Sequence, residues 1–407
     1  MEKLFERSVS DASKLMKLTD DDYALFQRVD QACDELLIPE FEKYMERKFN
    51  DKVPQILKKH RLMGVPISKK YGGDGARPLV LSLALERFGQ LGLGVVTFVD
   101  VHEALGSQTI QEWGNEEQKQ RYLTKAATGE IVLAYALTEP EAGSDPASLK
   151  TQFRKDGSNY YLTGSKYLIS NGSIADRLIV FAYPEGQTKG MTAFLVDAKE
   201  HGFSVDMKLE EKMGLFTSDT AMLSFSDLRV AREDVLGEEG RGLAVAYSAL
   251  LNGRIGIASG SLGVMEDCLN QVKERVSSRT QHGKPIGKHQ LVQRHVARIA
   301  ANLESSRWLV YQAAIKKDEY DNNKSDLSLR MEADRISAVA KYVATKAAWE
   351  SADSAVQCFG GFGYSILSPV AKHLIDSRVA RIYEGTDEVM ELKIASTVLG
   401  KDFEAYR

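Results

Sequence analysis

The sequence predicts an α+β chain of several domains, with helices at both ends and a strand-rich middle. Three observations carry this expectation. At 407 residues the chain exceeds one ordinary domain. Apolar residues recur at helical spacing before about residue 130 and again after about residue 243. Between those limits lie short runs rich in β-branched and aromatic residues, separated by turn signals. The expected domains are a helical one over 1–130, a β domain over 131–242 and a second helical one over 243–407.

Each element follows in order. The Asp20, Asp21, Asp22 cluster can cap a helix, and Leu25, Phe26, Val29, Ala32, Leu36 and Leu37 then fall at helical spacing until Pro39, where the helix is expected to stop. A second segment ends near Gly64, Tyr71 to Gly75 (YGGDG) is a loop, and Leu79 to Leu91 resumes the helical pattern. From Ile131 the runs IVLAYAL, NYYLTG, RLIVFAYP, GMTAFLVDA, FSVDMKL and TAMLSFSDLRV imply six or more strands. Lys155-Asp156-Gly157 separates two of them as a hairpin turn would, because Asp-Gly readily adopts positive φ. No long helix interrupts the strands, so antiparallel pairing in a barrel or sandwich is expected over a parallel, doubly wound sheet. Beyond the glycine-rich segment Leu236 to Gly242, long helical patterns cover about 243–277, 289–317 and 328–358. A last helix after Gly385 gives enough for an antiparallel four-helix bundle.

Composition narrows the function. With 43% apolar and 27% charged residues, and only 32 Gly and 9 Pro, the chain is globular. A net charge of -4 supplies no field toward nucleic acid or anionic lipid, so neither partner is expected. Cys33, Cys268 and Cys358 lie far apart, which suggests neither a disulfide framework nor a cysteine-ligated zinc site and fits a reducing compartment. The first 22 residues mix both charge signs and lack an apolar signal core, and no apolar run approaches a membrane span. A cytoplasmic protein is expected. GxGxxG, Walker, HExxH and GxSxG signatures are missing, and His282 and His289 lack neighbouring carboxylates, so no metal is expected.

Four stretches bear chemistry. Tyr135 to Lys150 turns through Gly143-Ser144-Asp145; Thr138, Ser144 and free amides there suit the edge of a planar heteroaromatic ring or a phosphate, and equally an ordinary capped turn. Gln357 to Gly363 (QCFGGFG) has three glycines where a helix C-cap needs one, and the surplus favours close approach of a ligand. In Arg381 to Glu388 (RIYEGTDE), Glu384 sits on a short loop ahead of a helix that Thr386 can cap. Burial would raise its carboxyl toward the range of a general base; left exposed, it is a helix-end charge. Arg279-Thr280-Gln281 and His289-Gln290 flank a glycine-containing break. Arg279 can grip a pyrophosphate and Gln290 can bond a cofactor, although arginine at a helix end also suits the macrodipole.

Taken together, these stretches resemble the acyl-CoA dehydrogenase family, flavoproteins that desaturate acyl-CoA thioesters between Cα and Cβ. YGGDG, TEPEAGSD, KMGLFTSDT (Lys212 to Thr220), NGRIGIA (Asn252 to Ala258), RTQHGKPIGKHQ, QCFGGFG and YEGT follow one another in family order over nearly the whole chain. The resemblance implies an N-terminal helical domain, a middle antiparallel β-barrel and a C-terminal four-helix bundle, with FAD between barrel and bundle. It also implies a trans-2-enoyl-CoA product, an electron-transfer flavoprotein as acceptor, the reaction class of fatty-acid β-oxidation, and a homotetramer or homodimer.

By position, Tyr135, Leu137, Thr138, Gly143, Ser144, Leu168 and Ser170 match the flavin-side wall. Arg279, Thr280, Gln281, His289 and Gln290 match pyrophosphate and adenosine contacts, joined by Gln357, Gly360, Gly361, Thr386 and Glu388, some of them reaching the FAD of a neighbouring subunit. Glu384 matches the catalytic base. Ser144, Leu251, Gly253, Arg254, Glu384 and Gly385 match the substrate side, with Arg254 a buried cation near the base. Isovaleryl and long-chain branches carry the base where this chain has Gly253, which leaves Glu384 as the candidate. The GRIGIAS wording is nearest to short-chain members, and Val95, Val96 and Thr97 replace the early arginine of the glutaryl branch, which disfavours a dicarboxylate.

Leu168 stands where an aromatic is frequent, His282 for a phenylalanine, Leu367 for an acid and Glu391 for an arginine. Asp100 and His102 point either to a polar acyl chain or to a helix surface. A related oxygen-using oxidase or monooxygenase, and a non-catalytic acyl-CoA-binding member, are the alternatives to a dehydrogenase.

Overall fold

The computed structural model describes residues 18–403; the N-terminal sequence read above for a signal lies largely outside them. Helix α1 (Asp20–Glu46) opens with a capping box: Thr19 Oγ1 accepts from the Asp22 amide, and the Asp22 carboxylate accepts from the Thr19 amide at 2.8 Å. The helix does not stop at Pro39. Proline removes one backbone bond, but Glu40 and Tyr44 beyond it are buried, and the Glu40 carboxylate accepts from Asn50, Thr217 and Lys372. Tertiary contacts therefore carry the helix past its break. Of the six expected core residues five are buried, and Leu37 is 60% exposed.

Next come α2 (Lys52–Lys59) and α3 (Pro78–Gly89), whose residues from Leu79 to Gly89 are all buried. A helix apolar all round must be enclosed by others. Helix α4 (Leu93–Asp100) continues through a π-helical turn (Val101–Ser107) into α5 (Gln108–Trp113), and the short α6 (Glu116–Gln118) and α7 (Thr124–Ala127) lead to the strands.

The strands are β1 (Leu133–Ala136), β2 (Gln152–Asp156), β3 (Asn159–Ser170), β4 (Arg177–Pro184), β5 (Thr192–Asp197), β6 (Phe203–Lys208), β7 (Thr220–Ala231) and β8 (Val235–Leu236). They form one sheet in the order β6-β7-β3-β2-β4-β5-β8, with β1 also on β4. Two pairings depart from the antiparallel expectation: β1 and β2 both run parallel to β4. The loop from 137 to 151 is long enough to return the chain and start β2 in the same direction as β1. Asp156 pairs with Asn159 across the hairpin, and Gly157 alone takes the positive φ, 59°. Strands β4 and β5 are buried on both faces, one toward the sheet's own core and the other toward the N-terminal helices.

The C-terminal helices are α8 (Gly242–Ser278), α9 (Gln290–Asn322), α10 (Leu327–Phe359), α11 (Pro369–Ala380) and α12 (Asp387–Leu399). Helices α8, α9 and α10 pack against one another, and α11 and α12 lean on α10. Helix α11 was not singled out by the sequence pattern. Gly253, Gly256, Gly260 and Gly263 share a face of α8, and α3 and α4 lie so close there that a Cβ at Gly260 would sit 2.5 Å from Val96. Both helical domains thus share one apolar core. Among the described residues no helix is long and apolar enough to cross a membrane.

That core encloses an ionic cluster. The Arg307 guanidinium donates to Glu86 at 2.7 and 3.0 Å and to Glu266 at 3.2 Å, and Tyr311 donates to Glu86 at 2.8 Å. Burial, with Glu86 next in effect, pushes the Glu266 carboxyl up to about 8, against the opposing pull of Arg307. Arg307→Met should leave the buried Glu86 and Glu266 without their shared cation, lowering stability by about 3–5 kcal/mol; a thermal midpoint unchanged from the native protein would refute this.

Candidate active site

The three domains meet around a cavity of about 1040 Å³, larger than most small-molecule sites and roomy enough for two ligands side by side. Thr97 and Asp100 of α4 line it, as do Thr138, Gly143 and Ser144 of the loop after β1, Leu168 and Ser170 of β3, and Leu251 and Arg254 of α8. Tyr383, Glu384, Gly385 and Thr386 enter from the turn between α11 and α12.

That turn is held from several sides. Tyr383 N donates back to Val379 O, the Arg381 side chain binds the Asp387 carboxylate at 2.7 Å, and Thr386 caps α12 by accepting from Val389 N at 3.2 Å. Two cations grip its backbone: Arg254 Nε donates to Glu384 O at 3.4 Å, and the buried Lys341 Nζ donates to Gly385 O at 2.5 Å. Glu384 itself is left-handed, with φ 55°. That is an uncommon conformation for a residue with a Cβ, and it persists only where the surroundings over-determine it.

The Glu384 carboxyl faces Gly253. A Cβ on Gly253 would lie 2.5 Å from Glu384 Oε2 and 2.7 Å from Cδ, so the missing side chain is the space the carboxyl occupies. Oε2 is buried and has no hydrogen-bond partner among the described residues. Burial pushes the carboxyl up to about 7, against the opposing pull of Arg254 and then Lys341. Arg254 is itself buried, and donates to Asp334 at 3.1 Å. The arrangement is a carboxylate able to take a proton near neutral pH, poised on the wall of a mostly apolar cavity.

Asp100 is 1% exposed, lines the same cavity and has no hydrogen-bond partner on either oxygen among the described residues. Burial, and then the neighbouring Glu384, hold its carboxyl well above the usual range. A surface role is excluded for it and for His102. His102 Nδ1 accepts from Leu133 N at 3.1 Å, so its Nε2 carries the proton and donates to Met63 O at 3.0 Å. Burial lowers that ring to about 4 and keeps it neutral: His102 ties α4's extension to β1 and does not line the cavity.

The cavity gathers Tyr135, Leu137, Thr138, Gly143, Ser144, Leu168, Ser170, Leu251, Arg254, Glu384, Gly385 and Thr386. Gly253 stands behind Glu384 and is not itself part of the lining. Tyr135 is anchored by its hydroxyl, which donates to Ala246 O at 3.2 Å. Leu168, at the bulge of β3 with φ 58°, is 48% exposed toward the cavity, an apolar wall of the kind a planar ring covers. Thr138, whose carbonyl accepts from Tyr167 N at 2.9 Å, and Ser170 line the same cavity, so the residues present suit a flavin.

The remaining predicted residues lie elsewhere. Arg279, Thr280, Gln281, Gln290, Gln357, Gly360 and Gly361 are exposed, His289 is half-buried, and Glu388 is exposed on α12. Thr280-Gln281 (β9) pairs with Lys284-Pro285 (β10) between α8 and α9. This hairpin and the QCFGGFG turn sit at one end of the helical domain, linked where Arg275 donates to Phe359 O at 3.4 Å. Sequence reasoning missed Lys341, Asp334 and Gly256. The three- and four-residue glycine spacing on α8 was the available signal for close packing there.

Models of the acyl-CoA dehydrogenase N-terminal, middle and C-terminal domains match residues 19–130, 134–228 and 240–399. An acyl-CoA dehydrogenase of Bacillus subtilis is 39% identical over 344 residues, covering 84% of this chain and 88% of that protein. Among solved structures, butyryl-CoA dehydrogenase from Megasphaera elsdenii superposes with a TM-score of 0.87 at 35% identity, over 94% of this chain and 99% of its own. A chain in a structure described as the electron transferring flavoprotein of Acidaminococcus fermentans gives 0.88 at 33% identity, over 94% and 98%. A glutaryl-CoA dehydrogenase from Mycobacterium smegmatis in complex with FADH2 gives 0.87 at 27% identity, over 98% of each chain.

Proposed function

The chain belongs to the acyl-CoA dehydrogenase family, and from that premise we propose that it removes two hydrogens from an acyl-CoA thioester, forming the trans-2-enoyl-CoA, and passes the electrons to an electron-transfer flavoprotein. It is an oxidoreductase and FAD is its cofactor. The observation that carries the reading is the Glu384 carboxyl on the cavity wall, its Oε2 buried and unpartnered among the described residues and its proton affinity raised to about neutrality.

Glu384 takes the Cα proton through Oε2. The left-handed turn and the two cations on its carbonyls hold it for that transfer, while the apolar lining of the cavity keeps water from competing. Bound FAD would supply the hydride acceptor for Cβ. Tyr135, Leu137, Thr138, Gly143, Ser144, Leu168 and Ser170 are the residues we assign to its ring side, and Ser144, Leu251, Arg254 and Gly385 to the thioester. Gly253 serves by leaving room for the base.

We assign the exposed Arg279, Thr280, Gln281, His289 and Gln290, together with Gln357, Gly360, Gly361 and Glu388, to the cofactor of a neighbouring subunit, with Thr386 beside the chain's own site. Their position away from the cavity supports a homodimer or homotetramer. The contact of β5 with β7 supports reading the middle sheet as a barrel, and α8, α9 and α10 with α11 or α12 as the four-helix bundle. Free, buried cysteines accord with a cytoplasmic location. The test is anaerobic mixing of the yellow protein with butyryl-CoA: the flavin should bleach, and electron-transfer flavoprotein should restore its colour much faster than air. Rapid peroxide release would favour an oxidase, and no bleaching by any acyl-CoA would refute the proposal.

A further inference from the structure

Asp100 is a buried acid of the cavity that acyl-CoA dehydrogenation does not use. Its side chain is enclosed, and among the described residues neither oxygen has a hydrogen-bond partner and no cation bonds to it. Its position follows from α8. A Cβ on Gly256 would fall 1.7 Å from Asp100 Oδ1, just as one on Gly253 would fall 2.5 Å from Glu384 Oε2. Two positions three apart on a helix face are neighbours at roughly 5–6 Å. The two carboxyl groups therefore occupy successive turns of the same face of α8, with Asp100 the deeper. If Glu384 attends Cα, the three-residue rise of about 4.5 Å from Gly253 to Gly256 carries an extended acyl chain to about C5 before it meets Asp100.

Enclosure beside a second acid favours the protonated form of Asp100, which offers one O–H donor and a carbonyl acceptor. A plain hydrocarbon chain would leave both unanswered in a dry pocket. A second carboxylate would be repelled by Glu384, and the Arg254 guanidinium that lines the same cavity is already engaged by Asp334. The complementary group is a neutral oxygen.

We propose that the acyl chain this protein accepts carries a hydroxyl or carbonyl oxygen near C5, and that Asp100 binds it and so sets substrate preference. This rests on the dehydrogenase reading and names its substrate class. Sites built to bond a polar group discriminate strongly against analogues that lack it, because their own buried groups are then left unpaired.

The test compares 5-oxohexanoyl-CoA with hexanoyl-CoA in the native holoenzyme, in Asp100→Leu and in the near-isosteric Asp100→Asn. The native protein should favour the oxo chain at least tenfold in kcat/KM for flavin reduction. Asp100→Leu should reverse the order, and Asp100→Asn should keep a reduced preference for the oxo chain. Calorimetric binding of the corresponding 3-thia analogues, which have no Cβ hydrogen to lose, should show the same order without turnover. Equal or better use of hexanoyl-CoA by the native protein, or a preference untouched by Asp100→Leu, overturns the inference and leaves the dehydrogenase reading standing. Ordered binding of the analogues without flavin reduction by either thioester would instead uphold Asp100 and overturn that reading.

Discussion

Glu384→Gln is expected to slow bleaching of bound FAD by acyl-CoA by roughly 10²–10⁴-fold, the range a positioned general base contributes, while leaving the protein folded and yellow. The amide fills the same space against Gly253 but cannot take a proton. The pH dependence tests the same point. With its carboxyl at about 7, Glu384 is protonated and idle at pH 5.5 and ionised at pH 8.5, so native kcat/KM should rise tenfold per unit below the midpoint and level off above it. The rise should vanish in the variant. Stability moves the other way. The folded state holds this proton more tightly than the unfolded chain, where an ordinary glutamate loses it near 4.5. The native protein therefore keeps its full margin below that value and loses up to about 3 kcal/mol as pH climbs through 7. Glu384→Gln should thus equal or exceed the native thermal midpoint at pH 8. A variant that still bleaches at the native rate would remove Glu384 from the chemistry.

The parts of the fold visible in the sequence were those with local causes. The strand runs were legible because β-branched residues and turn glycines stand where the pleat and hairpins need them, down to Gly157 in its positive-φ turn. Thr386 capping α12 was legible for the same reason. What escaped depended on partners distant in sequence. Pro39 reads as a stop, yet the contacts of Glu40 with Asn50, Thr217 and Lys372 carry α1 onward. Parallel pairing of β1 with β4 depends on a long loop whose path no local pattern records. Asp100 looks like a surface residue until the glycine face of α8 draws α4 against it. At the site the motif wording singled out Glu384 as the candidate base, but the two grips on its loop, Arg254 on Glu384 O and Lys341 on Gly385 O, are backbone contacts across 130 and 44 residues. A side-chain pattern cannot encode those.

Gly253→Ala separates the chemistry from the fold most sharply. Alanine is the better helix former by about 1 kcal/mol, so in the middle of α8 the substitution favours the helix itself. Its methyl would nevertheless fall within 2.5 Å of Glu384 Oε2, closer than carbon and oxygen can approach. The carboxyl is the end of a flexible side chain and the methyl is fixed to a helix backbone, so it is the carboxyl that gives way. A shift on the order of 1 Å in a reacting group costs about 10²-fold in rate. The expected result is therefore a yellow protein with a thermal midpoint equal to or above the native one, whose flavin is reduced by butyryl-CoA about a hundredfold more slowly. Stopped-flow absorbance and a melting curve on the same preparation read both quantities. Native reduction rates in Gly253→Ala would mean that the carboxyl works from somewhere other than the hollow left by that glycine. Loss of rate together with collapse of the midpoint would mean that the glycine serves packing rather than the placement of Glu384.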